Sequence, residues 1–114
     1  MSSPVPGPGS LQISSLVDDG TISLLLEGEL DLAGAPEMEA SLAAAERDRP
    51  TRLVVDLGRL RFIDSTGLRL LLQADARAKE QDYELVLRPG AQAVQRVFEV
   101  TGALAILRFE DAEG

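Results

Sequence analysis

The sequence has 114 residues and contains no cysteine and no histidine. The first absence excludes disulfide bonds, thiolate nucleophiles and cysteine-based zinc sites, and the second excludes imidazole bases and histidine phosphorelays. Aromatic residues make up only 4% of the chain and tryptophan is missing, so stacking platforms for single-stranded nucleic acid are not expected. The chemistry that remains is that of carboxylates and of hydroxyl groups that accept a phosphate.

Positive charge is also scarce. The chain carries 11 Lys and Arg against 19 Asp and Glu, a formal net charge of −8. This excess opposes electrostatic capture of nucleic acid or of an anionic membrane surface, so we expect neither partner. No apolar run approaches the ~20 residues that span a bilayer. Residues 1–10 hold three of the six prolines and lack the features of a signal peptide, which predicts a flexible tail and a cytoplasmic protein.

Length and composition fit one compact domain. The chain falls within the usual size range of a single domain, and 45% of its residues are hydrophobic. That content is enough to bury a core without covalent cross-links. We expect a tail at residues 1–10, one domain at 11–109 and a frayed, acidic end at 110–114.

Hydrophobic periodicity and turn residues predict five strands and three helices. An Asp18-Asp19-Gly20 turn between two apolar segments is typical of an antiparallel hairpin. A short apolar run around Val54 indicates a central strand that is covered on both faces. The expected strands are 11–17, 21–27, 52–57, 84–87 and 104–109, and the expected helices are 35–47, a segment from the capping residues 64–67 to about 81, and 91–100.

The order β-β-α-β-α-β-α-β predicts an α/β fold, with helices packed on a mixed and partly parallel sheet. In the second helix, a core-facing stripe is expected at Leu68, Leu71, Leu72 and Ala76, because these residues recur at helical spacing.

The most informative segment is Asp64-Ser65-Thr66-Gly67, between a buried strand and a helix. Unpaired N–H groups and the positive end of the helix dipole favour an anion there. A phosphate on Ser65 would add about −1.5 to −2 charges within reach of those amides. A purely structural role fits the same residues, with Asp64 or Ser65 as the helix cap and Gly67 allowing close packing. Because such caps are common, the local pattern alone does not establish phosphorylation.

From about residue 11 to residue 109 the chain resembles a STAS domain, and in particular the stand-alone anti-sigma factor antagonists of bacteria. The middle of three matching segments is the most specific, because it combines a strand, a short turn and the Asp-Ser-Thr-Gly quartet in the family order. The segments are residues 28–36, which resemble the turn before the first helix, residues 53–57 with 62–68, which resemble the phosphorylation motif, and residues 97–102, which resemble the end of the last helix.

The resemblance implies a phosphorylation switch without catalytic residues. In this family a cognate anti-sigma factor, itself a serine kinase, transfers phosphate from ATP to the antagonist, and position implies Ser65 as the acceptor. The unmodified antagonist binds the anti-sigma factor and frees a sigma factor, the phosphorylated form lets go, and a PP2C-type phosphatase resets it. Partner binding is implied for Asp31, Asp64, Thr66 and Gly67, with Asp31 and Asp64 in kinase docking and in orienting the hydroxyl.

The chain shows no nucleotide cradle of its own, so we expect no cofactor, no metal and no enzymatic activity. Some assignments stay open. Thr66 is the alternative acceptor, and Asp31 fits a turn as well as it fits a partner contact. Solvated surface charge is the stronger interpretation for Arg59, Arg61 and Arg69, but one of them could pair with a phosphate.

Two other functions fit parts of the sequence. A STAS subunit that does not switch, such as the small cytoplasmic partner of a lipid-transport ATPase, would use the serine turn only as a contact surface. An enzyme would need a carboxylate pair such as Asp56 and Asp64 as acid and base, although both are also natural strand-end and capping residues. The intact quartet favours the antagonist.

Overall fold

The structure, a computed structural model, describes residues 10–110. The elements are β1 Leu11–Asp18, β2 Thr21–Leu30, α1 Ala35–Arg47, β3 Arg52–Ile63, α2 Ser65–Gln81, β4 Glu84–Arg88 and α3 Gln92–Thr101, followed by a 3-10 turn at Ala103–Ala105. The four strands form one sheet in the order β1-β2-β3-β4, with β1 antiparallel to β2, and with β2, β3 and β4 parallel to one another. The α/β class, the mixed sheet and the central place of β3 are therefore confirmed.

The hairpin between β1 and β2 forms at the predicted Asp-Gly step. Asp19 and Gly20 both have positive φ, 48° and 84°, and Asp18 pairs with Thr21 across the turn. A two-residue turn with both φ values positive matches the right-handed twist of the flanking strands. The hairpin sets the register of β1 on β2.

The core lies between the sheet and the helices α1, α2 and α3, all of which contribute buried apolar residues. Alternate residues of β2, such as Leu24 and Leu26, are buried, and the register puts Val55 of β3 on the same face as Leu24. Met38 and Leu42 of α1 pack into this core at helical spacing.

The predicted core stripe of α2 is partly wrong. Leu68 and Leu71 are buried, but Leu72 is only half-buried and Ala76 is exposed. The buried side instead continues through Ala74 and Ala78. Steps of three and four residues keep one face of a helix inward, and 71, 74 and 78 follow those steps.

Strand β3 is longer than the sequence indicates. The sequence predicts that it ends at residue 57, but it runs to Ile63 and stays paired with β2, which runs to Leu30. The register between β2 and β3 shifts twice, so β3 bulges near Gly58 and Arg61. The first bulge is held by the Asp56 carboxylate, whose Oδ1 accepts a hydrogen bond of 2.9 Å from the Gly58 N–H. Because each bulge interrupts the alternation of buried and exposed residues, the strand pattern is hidden in the sequence.

The predicted last strand, residues 104–109, is wrong. The chain makes the 3-10 turn, so that Ala103 and Leu107 are buried while Leu104 and Ile106 are exposed. Four-residue spacing of the buried positions is helical and not strand-like. Phe109 then forms a single parallel bridge to Leu87 at the edge of β4.

The two ends of the described range are held by the sheet. The Ser10 carbonyl accepts a hydrogen bond from the Glu29 N–H, and the Glu110 N–H donates to the Leu87 carbonyl. Glu110 also pairs with Arg52 and Arg88, so it does not belong to a frayed end. The rest of the predicted tail and acidic end, residues 1–9 and 111–114, lies outside the described residues. Between residues 10 and 110 no helix is both long and apolar enough to cross a membrane.

Candidate functional site

Two acidic residues follow the adjoining ends of β2 and β3. Leu30 pairs with Ile63 in the parallel register, and Asp31 and Asp64 are the first residues after the two strands. The Asp64 N–H also donates to the Leu30 carbonyl at 3.2 Å, which ties the two connections together. The carboxyl ends of parallel strands are the edge at which open α/β sheets place their ligand sites. The fold thus brings together two acidic residues that are remote in sequence.

Asp64 is the N-cap of α2. Its backbone is extended, and its Oδ1 accepts a hydrogen bond of 3.0 Å from the Gly67 N–H. Such a cap typically contributes ~1 kcal/mol to stability. The structural interpretation of the motif therefore holds for Asp64, whose carboxylate is directed at the helix amide.

Ser65 is the first residue of α2 and its side chain is exposed, whereas Thr66 is half-buried. A kinase has to reach the acceptor hydroxyl, so the difference in exposure favours Ser65 over Thr66. The capping carboxylate already puts a negative charge at this helix end. A phosphate on Ser65 would therefore be added next to an existing anion.

Gly67 is buried against the end of β2. A Cβ at this position would lie 2.5 Å from the Leu30 carbonyl oxygen and 2.7 Å from the Leu30 Cγ. Only a residue without a side chain allows α2 to approach β2 so closely. Gly67 thus allows the close packing of α2 on β2 at the site, and it has no side chain that a partner could contact.

Asp31 shapes the turn between β2 and α1. Its Oδ1 accepts a hydrogen bond of 3.2 Å from the Gly34 N–H, and its carbonyl oxygen accepts from the same group at 3.1 Å. Of the two roles left open by the sequence, the turn role is thus observed. Asp31 is also only half-buried, so the residue remains partly accessible to solvent.

Two exposed apolar residues lie close in sequence to Asp31 and Asp64, and the sequence pattern does not predict their exposure. Leu32 follows Asp31 and is 72% exposed, and Phe62 precedes the end of β3 and is 48% exposed. Large exposed apolar residues beside polar groups are typical of protein interfaces. The direction of Phe62 depends on the two bulges of β3, and no simple alternation pattern predicts it.

The acidic pair Asp56 and Asp64 does not form an acid–base site. Asp56 pairs with Leu25, five residues before the end of β2, so the two carboxylates are separated by most of the second half of β3. At about 3.3 Å per residue this is roughly 20 Å, beyond the spacing of any catalytic carboxylate pair. Asp56 instead holds the bulge and pairs with Arg88 at 3.5 Å.

Basic residues lie on the strand and helix around the serine. Arg61 contacts Glu29 at 3.9 Å, while Arg59 on β3 and Arg69 on α2 are exposed. Across the part of the chain that the structure describes, no group of three or more acidic side chains is placed to hold a metal ion. The candidate site thus combines an exposed hydroxyl with two acidic and two exposed apolar residues, and the arginines lie on the strand and the helix that meet there.

Fold and site together define a STAS domain, and the chain belongs to that family: the family model described as "Mlab, STAS domain" matches residues 16–108. BtrV of Bordetella bronchiseptica, provisionally named an anti-sigma factor antagonist, is 40% identical over 88 residues, which cover 77% of this chain and 76% of BtrV. The anti-sigma-B factor antagonist of Listeria monocytogenes is 30% identical over 97 residues, or 85% of each chain.

Solved structures share the fold. An anti-sigma factor antagonist from Mycobacterium paratuberculosis superposes with a TM-score of 0.82 at 26% identity, over 95% of this chain and 92% of that one. SpoIIAA in its unphosphorylated form superposes with a TM-score of 0.72 at 24% identity, over 91% of this chain and 90% of SpoIIAA. The second likeness shows the STAS architecture alone.

Proposed function

We propose that this chain is an anti-sigma factor antagonist that binds a serine-kinase anti-sigma factor while Ser65 is unmodified and releases it once Ser65 is phosphorylated. The observation that carries the proposal is the exposed Ser65 hydroxyl at the first turn of α2, beside the adjoining carboxylates of Asp31 and Asp64. The similar proteins of Bordetella, Listeria and Mycobacterium carry antagonist names. SpoIIAA, which shares the fold, exists in unphosphorylated and phosphorylated forms.

The surface around Ser65 suits a switch that works by charge. Leu32 and Phe62 supply apolar area for an interface, and the two carboxylates supply its polar contacts. A phosphate adds up to about two negative charges at the same place. Burying them next to Asp31 and Asp64 is unfavourable, because like charges brought together at an interface repel each other strongly. Because the added charge acts directly at the interface, the proposed block requires no refolding of this chain.

In this proposal the reaction partners divide the chemistry between them. The anti-sigma factor supplies the ATP site, the metal and the cationic groups that phosphoryl transfer needs. This chain supplies the acceptor hydroxyl, and a PP2C-type phosphatase removes the phosphate. The unmodified chain, acting in the cytoplasm, holds the anti-sigma factor and so leaves a sigma factor free.

Phosphorylation should map to one residue. Incubation with the cognate anti-sigma factor and Mg-ATP should add a single phosphate to the wild-type chain and to Thr66→Ala, and none to Ser65→Ala. Intact-protein mass spectrometry measures the modified fraction directly. If Ser65→Ala is modified to the same extent as wild type, the assignment of the acceptor is wrong.

Leu32→Ala and Phe62→Ala should each weaken the complex with the anti-sigma factor by about fivefold or more, because buried apolar anchors contribute over 1 kcal/mol each. Both residues are exposed, so the thermal stability of the free chain should stay the same. Leu16→Ala is the matched control, since Leu16 is 61% exposed near the hairpin at the other end of β2. Equal affinities of all three variants in calorimetry would place the interface elsewhere.

A further inference from the structure

One face of α2 carries both the proposed phosphate acceptor and an arginine. Ser65, Arg69 and Gln73 follow each other at four-residue intervals, and all three are exposed. Residues four apart on a helix have their Cβ atoms about 5–6 Å from each other. The long side chain of Arg69 can therefore reach a group attached to the Ser65 oxygen.

Arg69 has its charge available. Within residues 10–110 its guanidinium group takes part in no hydrogen bond or ion pair, whereas that of Arg61 contacts Glu29 at 3.9 Å. Arg59 pairs with Glu27, which lies three residues before the end of β2. At about 3.3 Å per residue, the backbone of Arg59 is therefore roughly 10 Å from the strand ends that Ser65 follows. Arg69 is thus the cation that the helix itself holds beside the serine.

The start of α2 already has negative charge beside it. The Gly67 N–H already donates to the Asp64 carboxylate, and that carboxylate and Asp31 put negative charge at the same edge of the sheet. A phosphate dianion there needs a positive partner, and guanidinium groups bind phosphate in a planar, two-pronged geometry.

We infer that Arg69 binds the phosphate carried by Ser65, in a phosphate site formed within this chain. The inference rests on the proposed function only in taking Ser65 as the modified residue. In the phosphorylated chain Arg69 pairs with the phosphate, and its charge is then no longer free for an acidic group of the partner. Phosphorylation thus adds negative charge and also occupies a cation on the same helix face.

The test uses the full chain with phosphoserine incorporated at residue 65 during synthesis, so that no kinase is needed. A phosphorus NMR titration follows the second ionisation of the phosphate, whose ordinary pKa is about 6. A nearby guanidinium stabilises the dianion and lowers this pKa. Arg69→Gln should therefore raise the pKa by about 0.3 of a pH unit, the size expected of an i,i+4 charge pair, and about 1 M NaCl should remove the difference.

Arg96→Gln is the matched control, because Arg96 is exposed on α3 and likewise forms no ion pair within residues 10–110. It should leave the pKa of the phosphate unchanged. If the pKa of the phosphate is unchanged in Arg69→Gln, the inference is overturned. A shift of the phosphate pKa in Arg61→Gln but not in Arg69→Gln would also overturn it. Failure of the kinase to modify Ser65 would count against the proposed function alone, since this titration does not use the kinase.

Discussion

Phosphorylation of Ser65 should lower the affinity for the anti-sigma factor by about 100-fold. The expectation follows from the position of the hydroxyl beside Asp31 and Asp64, because like charges at an interface cost several kcal/mol and about 2.7 kcal/mol corresponds to a factor of 100. Ser65→Asp adds a single charge and should reproduce part of the loss. Isothermal titration calorimetry of the phosphorylated, unmodified and Ser65→Asp chains against the anti-sigma factor gives the three affinities.

Two variants separate charge from its location. Ser65→Ala removes the hydroxyl without adding charge and should bind as tightly as the unmodified chain. Ser14→Asp adds the same charge as Ser65→Asp, but on the exposed surface of β1, the edge strand beside β2, and should also bind normally. The charge mechanism is refuted if the phosphorylated and unmodified chains bind equally well.

Gly67→Ala should lower the free energy of unfolding by about 2 kcal/mol. The new Cβ would overlap the Leu30 carbonyl oxygen, a backbone atom that cannot move aside cheaply. Overpacking of this kind costs about 1–3 kcal/mol, and the gain in helix propensity offsets less than about 1 kcal/mol of it. For a domain of this size the melting temperature should fall by about 10 °C, and thermal unfolding followed by circular dichroism measures it.

Gly58→Ala is the control for the loss of a glycine. A Cβ at Gly58 would approach only the Asp56 carboxylate oxygen at 3.1 Å, and a side chain can shift by a few tenths of an ångström. Its stability should therefore stay within about 0.5 kcal/mol of wild type, as for most surface substitutions. Equal stability of Gly67→Ala and Gly58→Ala would contradict the close approach of α2 to β2.

Features controlled by neighbouring residues could be predicted from the sequence. The Asp-Gly step predicted the hairpin, because the left-handed φ values of Asp19 and Gly20 are a local requirement of the turn. A cap at Asp64 or Ser65 was also predicted, and the structure shows that it is Asp64, since an N-cap and the amide that it binds lie within four residues. The position of Ser65 at the start of a helix followed directly.

Features that depend on register could not be predicted. Asp31 and Asp64 are neighbours because β2 and β3 end together, and that requires two bulges in β3. Each bulge moves the following side chains to the other face, so the outward direction of Phe62 is invisible to a period-two pattern. Residues 104–109 were misread as a strand because a short apolar run fits a strand and a packed turn equally well.

Capture from the host with three bait proteins tests the central claim, that Ser65 switches binding to a kinase, most directly. Wild type and Ser65→Ala should retain the same protein, and that protein should phosphorylate Ser65 of the wild-type chain in the presence of Mg-ATP. Ser65→Asp should retain much less of it. Equal retention by all three baits of an assembly without serine kinase activity, such as the subunits of a lipid-transport ATPase, would contradict the switch.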